Sequence, residues 1–368
     1  MAVFYRITPL EPLVSRDARP VRAIGGRVHS LEWLSQSVLA GTVRTALYKE
    51  DRNRTPAVLK SVTVQGGFLI SDGRLYFPVP LDFVLSKDGS RTTVHQIKPM
   101  PKEEIPEMSY TNLPFGDMAL CGIYPGGQFK PEKREAFWSA EKMAQWLLNG
   151  RDGFDSAGGT RGPMVKDERV HVALDPKTGT GVDGMVFSTT ALDFVTEHAN
   201  RFDCSAISVA VDFASLKALP DRFVAPVGGG RHLAEFSRAD DDQTLWGCPQ
   251  GIVLGKKLRM VLASPALFKG GWKPGWIGED RTGVIPGTDV KVRLVSVVNG
   301  RWQPVSGWSY EKVSWGAKAL RRAVPAGSVY FFEVLEGNFD VAERWLKPVS
   351  DEMQDCLDGF GLALWGNW

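Results

Sequence analysis

Two periods of apolar and polar residues run along this chain. Near its start, Val3 to Ile7 is β-branched and aromatic and predicts a strand. Further on the period lengthens: Leu31, Leu34, Val38, Leu39, Val43, Ala46 and Leu47 fall on one helical stripe. Ser30 is placed to cap that helix and Glu32 suits its first turn. Gly41 inside it costs about 1 kcal/mol against Ala, a cost that a close backbone neighbour would justify. "FLISDGRLYFPVP" predicts a hairpin, because Asp72-Gly73 suits a tight turn. Residues 87–133 are rich in Pro and Gly, lack a period, and are expected to form a long insertion. "SAEKMAQWLLNG" predicts a short helix capped by Ser139 and stopped by Gly150. "RVHVALDPKTGTGVDGMVFSTTAL" predicts two strands around a Gly-rich turn, and "CSAISVAVDF" a further strand.

The second half is richer in strand patterns: "FVAPVGGGRHLAEF", "KKLRMVLA", "DVKVRLVSVVNGRWQPV" and "SVYFFEVLEG". Asn299-Gly300 predicts another hairpin. Asp340 with Glu343 makes a capping-box-like helix start, and Ser350 starts a last short helix with Gly359 just past its end. A boundary near Pro220 divides the chain into 1–220 and 221–368. The order in the first half is strand, helix, hairpin, helix, strand, which is the split βαβ, ferredoxin-like order. The second half suits a worn copy of it, although no internal repeat is visible. The expected class is α+β.

Composition narrows the functions. The chain has 368 residues, 43% hydrophobic and 23% charged, which is ordinary for a globular protein with a sizeable core. A net charge of +2 excludes a histone-like, non-specific nucleic-acid binder but leaves room for a local basic site. Twelve tryptophans suit large cores or extensive interfaces. Cys121, Cys204, Cys248 and Cys356 are scattered and form no C-x-x-C, which argues against a Cys-based zinc site and a disulfide scaffold. There is no signal-peptide pattern and no apolar run of membrane-spanning length, so a reduced cytoplasmic setting is expected.

Few catalytic motifs survive scrutiny, and no metal or cofactor is expected. Gly179 to Gly184 matches G-x-G-x-x-G, but a strand-like "MVFSTTAL" follows where a dinucleotide site needs a helix. "FDSAGG" around Ser156 lacks partnered His and Asp residues. His29 and His171 have several readings: a general base on a ribose hydroxyl, a phosphate contact, or a structural polar residue. "VGGGRH" puts Gly228, Gly229 and Gly230 before Arg231. Consecutive backbone N–H groups there suit an anion nest, with Arg231 adding a bidentate contact; the same residues suit a tight corner or β-bulge equally. "AGGTRG" repeats the theme with Arg161, where a mobile surface loop is the simpler reading.

An ordered set of segments carries a resemblance: "PLEPLVSRDARP", "LSQSVLAGTVRTAL", "GRLYFPVPLDFVL", "ERVHVALDPKTGTGVDGMVFSTTAL", "GGGRHLAEF" and the closing "DGFGLALWGNW". It resembles the Cmr-three family of the RAMP superfamily, subunits of type III-B CRISPR effector complexes. The resemblance implies two tandem ferredoxin-like modules of RNA-recognition type, long insertions, and a projecting β-hairpin, or thumb, over Glu168 to Leu192. It implies a non-catalytic subunit that grips the five-prime, repeat-derived handle of the CRISPR RNA. The implied protein partners are the large Cas ten-type subunit and the neighbouring backbone RAMP subunit. Candidate RNA contacts are Arg16, Arg19, Arg27, His29, Arg161, Lys166, Arg169, His171, Lys177, Gly228, Gly229, Gly230 and Arg231. On the thumb, Met185 and Phe187 are candidates to cover a displaced base. The closing "GFGLALWG" departs from the general RAMP glycine loop in having no Lys or Arg, so Trp365 and Trp368 are expected to fill a core or partner surface. Two alternatives stay open: a RAMP endoribonuclease with His29 as base, and a protein-only scaffold.

Overall fold

The computed structural model describes residues 2–17, 27–28, 30–107, 118–198, 201–309 and 315–368, with only the backbone described at 27–28, 196–198, 201–203 and 308. Two large sheets organise it. The first has eight strands in the spatial order Arg222–Pro226, Leu233–Arg238, Val3–Pro9, Ala206–Asp212, Thr63–Ser71, Arg74–Pro78, Phe137–Ser139, Thr160–Arg161. Val3–Pro9 and Thr63–Ser71 both run antiparallel to the Ala206–Asp212 strand between them. They are therefore parallel to each other and joined through the helix Gln36–Glu50, a split βαβ unit. The second sheet has six strands in the order Thr282–Val284, Lys291–Val298, Val329–Glu336, Lys257–Leu262, Leu362–Asn367, Lys347–Pro348. Here Val329–Glu336 and Leu362–Asn367 flank Lys257–Leu262, each antiparallel to it, and the short helices Val341–Arg344 and Met353–Leu357 lie between them in sequence. The same split arrangement thus occurs in both halves.

Alternation decides which faces are buried. Ile207, Val209 and Val211 of the central strand pack with Leu39, Val43 and Leu47 of the long helix. Each such buried side chain contributes roughly 1.5–3 kcal/mol. The opposite face, with Phe4, Phe68 and Phe77, packs against Val261, Phe331 and Leu364 of the second sheet, and Trp146 and Leu147 of the helix Ala140–Asn149 complete that layer. The far side of the second sheet, including Met260, Phe332 and Trp365, is covered by Phe268, Ile277 and Ile285. The halves are also tied by charge. Arg259 Nη1 meets Asp82 Oδ2 at 2.7 Å with both side chains fully buried, and Trp146 Nε1 donates to Asp82 Oδ1 at 2.9 Å. Removing one partner of such a pair costs about 3–5 kcal/mol.

Several sequence expectations match the fold. The Asp72-Gly73 hairpin, the Ser139 cap with Gly150 beyond the helix end, and the Asp340 cap all form. Gly359 takes a positive φ beyond the last helix. Trp365 lies in the core, and Gly366 explains the terminal glycine spacing: a Cβ there would stand 2.4 Å from the Leu147 carbonyl oxygen, so the strand can lie against the helix only without one.

Other expectations are corrected. The long helix begins after Ser35, because Ser30 instead bridges Arg16 and donates its hydroxyl to the Thr190 carbonyl. A Cβ at Gly41 would meet nothing within 4 Å, so the cost of that glycine is not repaid by close packing. Residues 87–133 are not merely irregular: Phe83–Asp88, Arg91–Pro99 and Cys121–Tyr124 form a separate antiparallel sheet. The last helix starts at Met353, since Ser350 Oγ accepts from the Leu267 N–H at 3.2 Å. Asn299-Gly300 joins strands that do not pair: Lys291–Val298 pairs with Val329–Glu336, and Gln303–Val305 with Arg321–Ala323. Residue 220 falls between strands of one sheet, and the change from the first large sheet to the second lies between Arg238 and Lys257.

Candidate nucleic-acid interface

The segment Leu13–Arg16 is the organising strip. Leu13 exchanges backbone hydrogen bonds with Leu192 at the root of the projecting hairpin, at 2.9 and 2.7 Å. Val14 accepts the Gly229 N–H at 2.7 Å. Ser15 accepts the Leu31 N–H at 2.7 Å, and Arg16 bridges Ser30. Leu13, Val14 and Ser15 are buried, whereas Arg16 is exposed. One short ribbon therefore ties together the glycine loop, the hairpin root and the approach to the long helix.

The glycine loop follows from its residues. Val227 donates to the His232 carbonyl at 2.8 Å and closes the turn. Gly228 has φ 76, and a Cβ there would stand 2.4 Å from the Val14 carbonyl oxygen, so no other residue fits. The Gly229 bond to Val14 takes one of the donors that a nest of consecutive N–H groups would present, and the run is first of all a tight corner. Arg231 sits in the left-handed region at φ 60, exposed, beyond Gly230. Arg16 Cδ lies 3.6 Å from the place a Gly229 Cβ would occupy, which puts the two arginines on neighbouring segments. Glu11, which carried no signal in the sequence, fixes the other side: its Oε1 accepts the Leu233 N–H at 2.8 Å, and its Oε2 lies 3.3 Å from His232 Nδ1, out of hydrogen-bonding alignment.

The hairpin consists of Val165–Leu174 and Gly181–Asp193, and Arg27–Val28 adds in parallel at Ser188 and Thr189. Ten residues of strand reach about 30 Å. The register pairs His171 with Phe187, Arg169 with Thr189 and Val172 with Val186. Met185, Phe187, His171 and Arg169 thus share one face, and Val170, Val172 and Val186 share the other. His171 stacks on Phe187, with centroids 5.2 Å apart, and its Nε2 is 2.8 Å from Thr189 Oγ1. Val170 is 75% exposed, and a two-stranded hairpin that leaves its apolar positions in water is marginal on its own. Lys177 lies at the tip, its N–H held by Asp175 Oδ1 at 2.7 Å. Lys166 pairs with Glu32 at 2.8 Å and Arg169 with Asp167 at 2.7 Å, exposed pairs that are worth little.

Arg161 does not join this group. Its strand is the last of the first sheet, six strand spacings, or about 29 Å, from Leu233–Arg238. Its guanidinium is paired with Asp72 and lies over the Tyr76 ring. The neighbouring loop is ordered by Lys142, whose Nζ donates to the carbonyls of Ser156 and Gly158 at 2.9 and 2.8 Å. Burial holds that ammonium below the usual lysine range. Arg19 and His29 lie outside the described residues, as does the side chain of Arg27. Among the described residues, no group of three or more His, Cys, Asp and Glu side chains could hold a metal ion, and no helix is long and apolar enough to cross a membrane.

The described residues thus form a two-sheet α/β protein, mostly strand, with a projecting hairpin and a basic glycine corner. The family model described as CRISPR-associated protein (Cas_Cmr3) matches residues 5–368, and the chain belongs to that family. Distant likenesses to solved structures accompany it. A chain in a cryo-EM structure of the type III-B Cmr-beta bound to cognate target RNA and AMPPnP is 14% identical, with TM-score 0.49 and coverage of 89% of this chain and 86% of that one. A chain in the same complex bound to cognate target RNA is 12% identical, with TM-score 0.49 and coverage of 98% and 96%. A chain of the Csm3-Csm4 subcomplex of the type III-A interference complex is 9% identical, with TM-score 0.38 and coverage of 93% and 96%. No curated protein matches.

Proposed function

We propose that this chain is a non-catalytic, cytoplasmic subunit that grips the five-prime, repeat-derived handle of a CRISPR RNA within a type III-B complex. In this reading its two halves are ferredoxin-like modules of RNA-recognition type, an interpretation supported by the split βαβ arrangement in each. The large Cas ten-type subunit and the neighbouring backbone RAMP subunit are its protein partners.

The observation that carries the reading is the Leu13–Arg16 strip. It brings exposed Arg16 and Arg231 beside the root of a hairpin whose His171–Phe187 face offers stacking surface. Arginines supply phosphate contacts and aromatics supply base stacking, the two elements of single-stranded RNA recognition. The hairpin acts as a thumb, with Met185 and Phe187 against a base at the handle boundary. Shortening the turn between Leu174 and Met185 is expected to leave the fold and assembly intact while changing nucleotide reactivity at that boundary. An assembled complex with unchanged reactivity there would rule out the thumb assignment.

A further inference from the structure

The strand Val165–Leu174 carries an apolar row and an open backbone edge, and the handle reading uses neither. Val170, Val172 and Val186 share the hairpin face opposite His171 and Phe187, and Leu174 continues the row. Val172 and Val186 are each 49% exposed and Leu174 is 60% exposed. Contiguous exposed apolar side chains of this kind mark an interaction surface.

The backbone of the strand is open at the same place. Gly181–Asp193 pairs with Val165–Leu174 on one side, and among the described residues no strand pairs with it on the other. Leu192 directs both of its backbone groups to Leu13, and the Thr190 carbonyl accepts from Ser30; Leu13 and Ser30 therefore lie on the far side of Gly181–Asp193 from its partner strand. An antiparallel ladder alternates the direction of these groups from residue to residue. Ser188 and Val186 follow the direction of Leu192 and Thr190, and they stand opposite Val170 and Val172. Val170 and Val172 therefore turn their N–H and C=O groups to the open side. Exposed β-branched side chains and open backbone groups coincide at two residues. Sheet edges are ordinarily blunted by charge, by proline or by a covering element, and among the described residues none of these stands at Val170 or Val172.

We propose that this edge receives an extended segment of another protein subunit, which adds to the hairpin as a further strand. The inference rests on the reading above that the chain works inside a multisubunit complex. The segment carries Val, Ile or Leu at two alternate positions, opposite Val170 and Val172. A nucleic acid does not match this surface, since the row of valines and Leu174 holds neither a cation for phosphate nor a ring for stacking. A second copy of the chain does not match it either. An antiparallel register that sets Val170 opposite Val172 sets the Glu168 carboxylate opposite Leu174. The register that sets Val170 opposite Leu174 carries Glu168 out to Pro176, in the turn. A strand of different sequence has neither conflict. One hairpin would then hold RNA on its His171–Phe187 face and a protein strand along its edge.

Hydrogen exchange resolved to single amides tests this on three samples: the full-length chain alone, the chain with guide RNA, and the type III-B complex reconstituted from its protein subunits without RNA. The Val170 and Val172 amides are expected to exchange freely in the first two and roughly a hundredfold more slowly in the third. Val170→Pro removes an N–H that the hairpin's own ladder does not use, so the hairpin tolerates it while an added strand loses a bond. It is expected to abolish protection at Val172 in the complex, while protection of the His171 amide, which faces Phe187 within the hairpin, shows that the hairpin is intact. Val170→Thr keeps the N–H and the branched shape and is expected to retain the protection. Free exchange of both amides in the assembled complex would overturn the proposal, as would protection at Val172 that survives Val170→Pro. Protection by guide RNA alone would overturn it in favour of an RNA contact. Protection of the free chain that grows with its concentration would overturn it in favour of a second copy. A chain that fails to enter the complex would overturn both this inference and the reading on which it rests, whereas an assembled complex with an open edge overturns this inference alone.

Discussion

Two loops of this chain look alike in sequence and differ in what their cations do. "VGGGRH" and "AGGTRG" each place glycines before an arginine. In the first, Arg231 is exposed and its neighbour Arg16 is exposed beside it. In the second, Arg161 is paired with Asp72 over Tyr76, and the loop's carbonyls converge on Lys142. A glycine-arginine pattern therefore marks a bend with a cation nearby; whether the cation faces a ligand depends on carboxylates and carbonyls brought in from distant sequence.

Five substitutions sharpen that contrast. The largest effect belongs to Lys142→Met. It leaves the Ser156 and Gly158 carbonyls without their donor and is expected to cost about 3 kcal/mol of stability, since hydrogen bonds to charged groups are the stronger ones. Chemical denaturation measures this, and RNA affinity under native conditions should stay the same. Arg231→Ala should show the reverse pattern, a loss on the order of 2 kcal/mol in handle affinity with an unaltered denaturation midpoint. A midpoint that fell with affinity untouched would make Arg231 the counterpart of Arg161. Third, Arg16→Ala should lower the salt slope of RNA binding by roughly one, whereas Arg161→Ala should not move it. The smallest change is Gly41→Ala. With open space around that position, it should stabilise the long helix by up to about 1 kcal/mol and leave RNA binding alone.

The same contrast shows what could be read from sequence. The projecting hairpin was legible because Val170, Val172 and Val186 alternate with polar residues on either side of a Gly-rich turn, a local signal. The central strand Ala206–Asp212 was legible for the same reason. The helix start was misplaced because Ser30 and Ser35 are equally good caps, and the choice is made by a bridge to Arg16 and a hydrogen bond to Thr190, both remote. The strands within 87–133 were hidden because Arg91, Thr92 and the other exposed positions blur the alternation of a sheet that is only partly covered. The membership of Leu233–Arg238 in the first sheet has no local signature at all; it rests on pairing with Val3–Pro9, more than two hundred residues earlier, and Arg222–Pro226 joins the sheet through Leu233–Arg238. For the site, the glycine corner was visible as a pattern, but the Val14 carbonyl that demands Gly228, and Glu11 at its flank, became visible only in three dimensions.

The most direct test of the account is photocrosslinking of the assembled complex, carrying a guide RNA with thiouridine placed through its five-prime handle, followed by mapping of the crosslinked peptides. The account predicts crosslinks in the peptides that hold Arg16, Gly228 to Arg231 and the His171–Phe187 face of the hairpin, with none at Ala157 to Gly162. Crosslinks from the handle to the Arg161 loop, with none at the Arg231 corner or the hairpin, would contradict it.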